Sequence, residues 1–393
     1  MREHNVTGVS VGERFTMFLT SGGLVFGSGY NYYGEIGNGN RNKQLTPVQT
    51  KLDVAVSKVI AGGQHTVFLT AVGQTYACGD NSDGQLGGEQ LDQFVHTPAQ
   101  VMRNYSVTAA AAGSHHTIFL TPEGEAYAVG KNGDCGNVGY AGSKGWGGRL
   151  GDGSTQTRLS PVRVMSDHTV AEAVTGDCHT AYITFSGEVY TTGTNTWGEL
   201  GDGTRSGRTT PGRVMADHTV TGAALGMFFT TFVTSNGETY GCGDNSYGQL
   251  SFYGADDYST PVRVMESYIV RAVSAGTLHS VFVVDGGTVF TSGYNNYGQL
   301  GNGDKQNKYW PVQVMSDYLV TAADSSAVSY HTVYLHNENP SPPPPHPPIP
   351  PSPPSPPPSS PSPPPPPSPS PNPSPPSPLA SSTSPRFLRR HRL

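Results

Sequence analysis

Charge is scarce in this chain: 13% of its 393 residues are Asp, Glu, Lys or Arg. What charge there is divides unevenly. All 29 acidic residues precede Pro340, and the only basic residues beyond it are Arg386, Arg389, Arg390 and Arg392, so the first part sets 19 basic groups against 29 acidic ones, a net −10. A body that acidic repels phosphate backbones, and no nucleic-acid or nucleosome partner is expected. Apolar runs are short, with no stretch of about 18 residues that could cross a membrane as a helix. Residues 1–20, MREHNVTGVSVGERFTMFLT, lack the continuous apolar stretch and small-residue cleavage site of a secretory signal. As written the chain reads as cytoplasmic, or as extracellular or cell-wall if its N-terminus is incomplete. The four cysteines, Cys78, Cys135, Cys178 and Cys242, are too few and scattered for a disulfide framework, and no CxxC knuckle occurs.

Catalytic signatures are missing as well: there is no GxxxxGK[ST] and no HExxH. Cys178 stands beside His179, but neighbours on an extended strand point to opposite faces and cannot form a nucleophile–base pair. The expectation is therefore no enzyme, no cofactor and no metal.

What is present is repetition. A Gly recurs at 34, 84, 148, 198, 248 and 298, another at 12, 62, 113, 176, 226 and 276, and a Pro at 47, 98, 161, 211, 261 and 311. Three markers share one period of about 50 residues, broken only by an insertion in the third unit between Asn132 and Gly148. Within a unit the pattern has period two. HTVFLT (65–70) passes through a glycine turn into QTYACG (74–79), which is a hairpin. Segments such as VRAVSAG (270–276) and PVRVM (161–165) supply a third and a fourth strand. Four short strands per unit without helical periodicity predict an all-β propeller, because packing blades face to face buries sheets that one unit could not cover.

The A-G-x-x-H-T segment, the G-x-N-x-x-G-Q-L-G-x-G segment and the P-V-x-V after it resemble the repeats of the regulator-of-chromosome-condensation family over about residues 6–336. The resemblance implies a closed ring, typically of seven blades. Units fall at about 6–54, 55–105, 106–168, 169–218, 219–268 and 269–318, with a half-unit at 319–336; seven blades are expected, the last incomplete and borrowing PVQVM (311–315), with six as the alternative. Residues 1–336 form the propeller and 337–393 a Pro- and Ser-rich tail.

Recurrent residues read as structural. His65, His116, His179, His279 and His331 occupy one repeat position in separate blades and cannot meet at one ion; Phe15 and Phe229 replace them elsewhere. Met102, Met165, Met215, Met265 and Met315 share another position and read as packing. Asp152, Asp202 and Asn302 lack the clustered carboxylates that calcium requires.

Function should then lie in what varies between the fixed Gly and the His position. Those places hold Glu13 and Arg14, Gln64, His115, Asp177, Met227 and Phe228, Leu278, and Tyr330. They are the candidate partner-binding residues, with plugging of the central channel as the competing explanation. None is Trp, whereas plant ultraviolet-B photoreceptors of this fold carry Gly-Trp-Arg-His-Thr there, so that activity is not expected. The family resemblance also implies guanine-nucleotide exchange on a Ran-type small GTPase. Exchange needs a projecting wedge, and the insertion GDCGNVGYAGSKGWG (133–147), with Tyr140, Lys144 and Trp146, has six glycines and reads better as a surface loop.

Beyond Pro340 lie 27 of the 34 prolines, counting Pro340 itself. Proline fixes φ and lacks an amide donor, so residues 341–378 are expected to extend as a polyproline II rod. The tract resembles the shafts of hydroxyproline-rich cell-wall glycoproteins of plants and algae, which implies glycosylation and a structural matrix role; a ligand for SH3- or WW-like modules is the alternative. Asn5 and Asn104 begin N-glycosylation sequons. The favoured reading is a non-enzymatic scaffold that binds a protein through its loop faces and is spaced by the stalk, ahead of nucleotide exchange and of a purely structural glycoprotein.

Overall fold

The computed structural model describes residues 4–88, 90–133, 135, 147–252, 254 and 256–336. Tyr140, Lys144 and Trp146 of the insertion and all of 337–393 lie outside the described residues. Six four-stranded antiparallel sheets succeed one another along the chain. Blade one is β1 (Val6–Val11), β2 (Phe15–Thr20), β3 (Val25–Gly29) and β4 (Gln44–Gln49); blade two is β5 (Val56–Ala61), β6 (His65–Thr70), β7 (Thr75–Asp80) and β8 (Phe94–Val101). Blade three is β9 (Ala109–Ala112), β10 (His116–Leu120), β11 (Ala126–Gly130) and β12 (Arg158–Val164); blade four is β13 (Val170–Thr175), β14 (His179–Thr184), β15 (Val189–Gly193) and β16 (Arg208–Val214). Blade five is β17 (Val220–Leu225), β18 (Phe229–Thr234), β19 (Thr239–Gly243) and β20 (Tyr258–Val264); blade six is β21 (Val270–Ala275), β22 (His279–Val284), β23 (Val289–Gly293) and β24 (Lys308–Val314).

The expected seven blades are therefore corrected to six. The segment at 311–315 does not serve a seventh sheet: Val289 pairs with Val314 and Thr291 with Val312, so it is the outer strand of blade six. After blade six the chain adds a two-stranded sheet, β25 (Val320–Asp324) and β26 (Val333–His336).

The four strands run outward from the axis. The first strand of each blade, together with β25, lines a central cavity of about 220 Å³, where Ala61, Ala111, Ala112, Ala173, Ala224 and Ser274 let the strands converge. The cores lie between blades. Phe68, Phe119, Tyr182, Phe232 and Phe282 hold one position of the second strand and are fully buried, as are Ile36, Leu86, Leu150, Leu200, Leu250 and Leu300 of the G-x-L turns. Burying each such side chain contributes roughly 1.5–3 kcal/mol. The Gly ending β15 bulges the sheet at φ +115, and a Cβ there would sit 2.4 Å from the Cys178 carbonyl oxygen.

Histidines stitch one blade to the next. Nε2 of His65, His116, His179, His279 and His331 lies 2.8–3.0 Å from Oγ1 of Thr117, Thr180, Thr230, Thr332 and Thr16 respectively. Thr117, Thr180, Thr230 and Thr332 donate in turn to the carbonyls of Gln85, Arg149, Glu199 and Gln299, so each accepts from Nε2–H and the tautomer is set. Burial holds His65, His179 and His279 neutral, with pKa values lowered to about 3. The motif's glycine makes room: a Cβ on Gly113 would lie 2.4 Å from the His116 ring and 2.8 Å from the Gly176 carbonyl.

The half-sheet closes the ring. Val11 N–H donates to Asp324 Oδ2 at 2.7 Å, His331 reaches Thr16 of blade one, and His279 of blade six reaches Thr332. The five repeated methionines were expected to be packing residues. Each also turns the chain, at φ between +50° and +55°, closing a four-residue turn such as Met165–His168.

Candidate functional site

Alternating strand direction puts the loops after the first and third strands of every blade at one end of the propeller. Glu13, Arg14, Gln64, His115, Asp177, Met227, Phe228, Leu278 and Tyr330 all occupy first loops, so the fold gathers them around one mouth of the channel. Adjacent loops are bonded laterally: Glu13 N–H donates to the Gly63 carbonyl at 3.2 Å, Gly63 N–H to Gly113 at 3.0 Å, Met227 N–H to Thr277 at 3.1 Å and Thr277 N–H to Ser329 at 3.0 Å. None of the nine lines the cavity, whose wall is formed by first-strand residues together with Ser325, Ser326 and Ala327 after β25.

The ring is polar on one side and aromatic on the other. Gln64 donates to Glu13 at 3.2 Å, Glu13 pairs with Arg14 at 3.2 Å, and the Arg14 guanidinium lies over Tyr30 at 5.5 Å. His115 Nδ1 stands 3.7 Å from Asp83; burial and then the nearby Lys131 charge lower its pKa against the pull of that carboxylate. Across the mouth, Phe228 faces Trp197 with ring centroids 6.2 Å apart. Tyr247 and Tyr294 are 5.1 Å apart, Tyr294 and Tyr297 6.0 Å, and Tyr297 and Tyr330 5.6 Å. Tyr297 is 69% exposed and Tyr330 43%.

The repeat signature described as "Regulator of chromosome condensation (RCC1) repeat" matches residues 22–69, 72–120, 186–233, 236–283 and 286–335. The chain belongs to the RCC1 repeat family.

Among relatives of this RCC1-repeat protein, the ultraviolet-B receptor UVR8 of Arabidopsis thaliana is 29% identical over 198 residues, 48% of this chain and 42% of UVR8. The probable E3 ubiquitin-protein ligase HERC4 of Homo sapiens is 27% identical over 192 residues, 47% of this chain and 17% of HERC4. The chain thus spans less than half the length of these curated relatives. Of solved structures, human WBSCR16 superposes with a TM-score of 0.75 at 20% identity, covering 85% of this chain and 88% of that one. Yeast RCC1 (Prp20), bound to Kap60, superposes at 0.70 and 19% identity, covering 82% and 78%. At those identities the likeness establishes the fold.

Apart from the insertion in blade three, the third loops are the part of the RCC1-repeat face that was not expected from the sequence. Their signal was the G-x-N-x-x-G segment, whose Asn is fixed while its neighbours vary. Asn195 shows why it is fixed: Oδ1 accepts from Leu200 N–H at 2.9 Å, and Nδ2 donates to Asp202 and to the Thr204 carbonyl at 3.0 Å each. In the third blade Leu150 N–H donates to Asn132 Oδ1 at 3.0 Å, so the inserted segment leaves this clamp closed. The variable places carry Tyr30, Tyr32, Trp197, Tyr247, Tyr294 and Tyr297. Trp310, by contrast, lies on β24.

The scattered cysteines required one correction: Cys135 and Cys178 form a disulfide that ties the start of the insertion to the first loop of blade four. Arg149, buried beside it, donates to the carbonyls of Asp177 and Gly133 at 3.1 Å each.

Buried carboxylates sit beneath the face. In blades two and five the turn residue is Gln85 or Gln249, donating to Asp80 or Asp244 at 2.8 Å. In blade four the order changes to Thr194 and Glu199, whose carboxylate accepts from Trp197 N–H at 2.8 Å. Burial pushes Glu199 up to about 7, against the amides that bond it. A carboxyl raised in the folded state contributes stability that is present at low pH and lost as pH climbs from the ordinary 4.5 toward 7. Glu199→Gln is therefore expected to be more stable than the parent by about 1–3 kcal/mol above pH of about 8, with the gap closing near pH of about 4.5. Urea unfolding at both values checks it, and parallel pH profiles for the two proteins would refute it.

Proposed function

We propose that this protein is a non-enzymatic binding module whose loop face holds a protein partner, with the Pro- and Ser-rich segment beyond residue 340 as its spacer. One observation carries the reading: the aromatic arc from Trp197 and Phe228 through Tyr247, Tyr294 and Tyr297 to Tyr330, partly open to solvent on a rigid ring. Aromatic side chains offer large contact area at little entropy cost and dominate binding energy where partners desolvate them. The polar half, with Glu13, Arg14, Gln64, His115 and Asp177, would set orientation and selectivity.

Replacing Phe228, Leu278, Tyr297 and Tyr330 together by alanine is expected to weaken partner retention about 100-fold or more. The partner set is defined by capture with the parent protein from its own cells, and thermal unfolding of the variant verifies its fold. Undiminished retention by a folded variant rejects the face. A second reading, guanine-nucleotide exchange on a Ran-type GTPase, draws support from the fold shared with yeast Prp20, a protein studied for binding to Gsp1p and histones. A nucleotide-release assay separates the two, since a scaffold leaves the release rate unchanged.

A further inference from the structure

Asn5-Val6-Thr7 and Asn104-Tyr105-Ser106 are the two places in the 393 residues where Asn precedes a non-proline residue and then Ser or Thr. Asn5 directly precedes β1, and Asn104 lies in the turn between β8 and β9. Both are exposed. Strand direction puts both at the end of the propeller opposite the aromatic arc.

The Asn104 turn is one of five built alike. Tyr105 N–H donates to the Met102 carbonyl at 2.9 Å, and the Tyr105 ring lies 4.4 Å from Tyr127. In the equivalent turns His168 and His218 donate to Met165 and Met215 at 3.0 Å and lie against Tyr190 and Tyr240. The residue matching Asn104 is Asp167 in one and Asp217 in the other, each followed by His-Thr. The turn needs a short polar residue there; it does not need an amide. Asn104 is thus a departure from the repeat that converts a structural turn into an acceptor sequence.

The disulfide points the same way by separate chemistry. Bonds such as Cys135–Cys178 form and persist in oxidising compartments, where oligosaccharide transfer to Asn also occurs. The remaining thiols, Cys78 and Cys242, are fully buried and their pKa values are raised by that burial, so neither offers a thiolate to oxidation.

We propose that Asn5 and Asn104 carry N-linked oligosaccharides. The donor is a lipid-diphosphate-linked oligosaccharide. The side-chain amide nitrogen of Asn bonds to the anomeric carbon of the reducing-end sugar and gives up one proton. The bond from that carbon to the diphosphate oxygen breaks, and the lipid diphosphate leaves with the electron pair. The glycans cover the far end of the ring and leave the loop face open.

The protein isolated from the cells that make it is digested, and the peptides containing Asn5 and Asn104 are mapped before and after treatment with a peptide amidase specific for N-linked glycans. Glycopeptides that lose their sugar and return Asp at both positions are the expected result; sugar elsewhere, as on the Pro-rich tract, survives the amidase. Bare Asn at both positions overturns the proposal. In a secretory host, Asn5→Gln and Asn104→Gln should each remove one glycan. Asp167→Asn, which creates Asn-His-Thr in the matching turn, should add one; its failure to do so overturns the claim that the turn presents the acceptor.

Discussion

A chain stopped at Asp317 is expected to lose its single cooperative unfolding transition, whereas one stopped at His336 keeps it. The difference is β25 and β26, two strands without a full blade of their own. Their removal strips the cover from Val281, Val283, Val289 and Val314, which form one cluster with Val320, Ala323 and Tyr334. At roughly 1.5–3 kcal/mol for each valine returned to water, the upper bound approaches the whole stability of an ordinary domain, about 5–15 kcal/mol. Three side-chain closures go as well: Asp324 to the Val11 amide, His331 to Thr16 and His279 to Thr332. The seam carries a pH signature. Burial raises the Asp324 carboxyl to about 7, so its contribution is present at low pH and is lost as pH rises through neutrality. Hydrogen exchange of the β1 and β25 amides should quicken with pH beyond its intrinsic dependence, and Asp324→Asn should remove that excess. An unchanged melting curve for the shorter chain would show that the half-sheet does not close the ring.

Breaking the disulfide is expected to have the next largest effect. Cys135 and Cys178 are 43 residues apart in sequence, and closing a loop of that size restricts the unfolded chain by about 4 kcal/mol in the entropic account. Reductant, or the pair Cys135→Ser with Cys178→Ser, should lower the unfolding midpoint by several degrees, at roughly 2–4 °C per kcal/mol. Counting thiols tests the assignment directly. The native protein should show none, because Cys78 and Cys242 are buried. The unfolded protein should show two, and the unfolded, reduced protein four. Four thiols without reductant would disprove the bond.

The period of about 50 residues made the blades legible, because one strand pattern repeated with its turn glycines leaves few other ways to bury both sheet faces. Blade number was not legible. A half-unit ahead of a proline tract has the same local pattern whether or not it recruits a third strand, and the choice was made by the pairing of Val314 with Val289 in blade six. The segments expected as third strands, such as 270–276, are innermost, since small side chains suit convergence at an axis. The disulfide escaped because Cys135 lies in an insertion with no counterpart in other units, where spacing carries no information. The first loops were found because variable residues stood between fixed ones; the same argument applied to G-x-N-x-x-G would have found Tyr294 and Tyr297. The left-handed methionines gave no warning, since Met has no intrinsic preference for that conformation.

The histidine stitches have a genealogical consequence. Each unit presents a hydroxyl backward, and all but blades one and five, which carry Phe15 and Phe229, present an imidazole forward, so most junctions are made from the same two halves. Duplicating or excising one unit by recombination would leave the new neighbours already matched, with no compensating mutation needed at the join. Copy number in such a chain is free to drift until the arc either meets itself or leaves a gap. Here the gap is spanned by two strands, the smallest piece that still supplies one imidazole, one hydroxyl and one carboxylate to the units on either side.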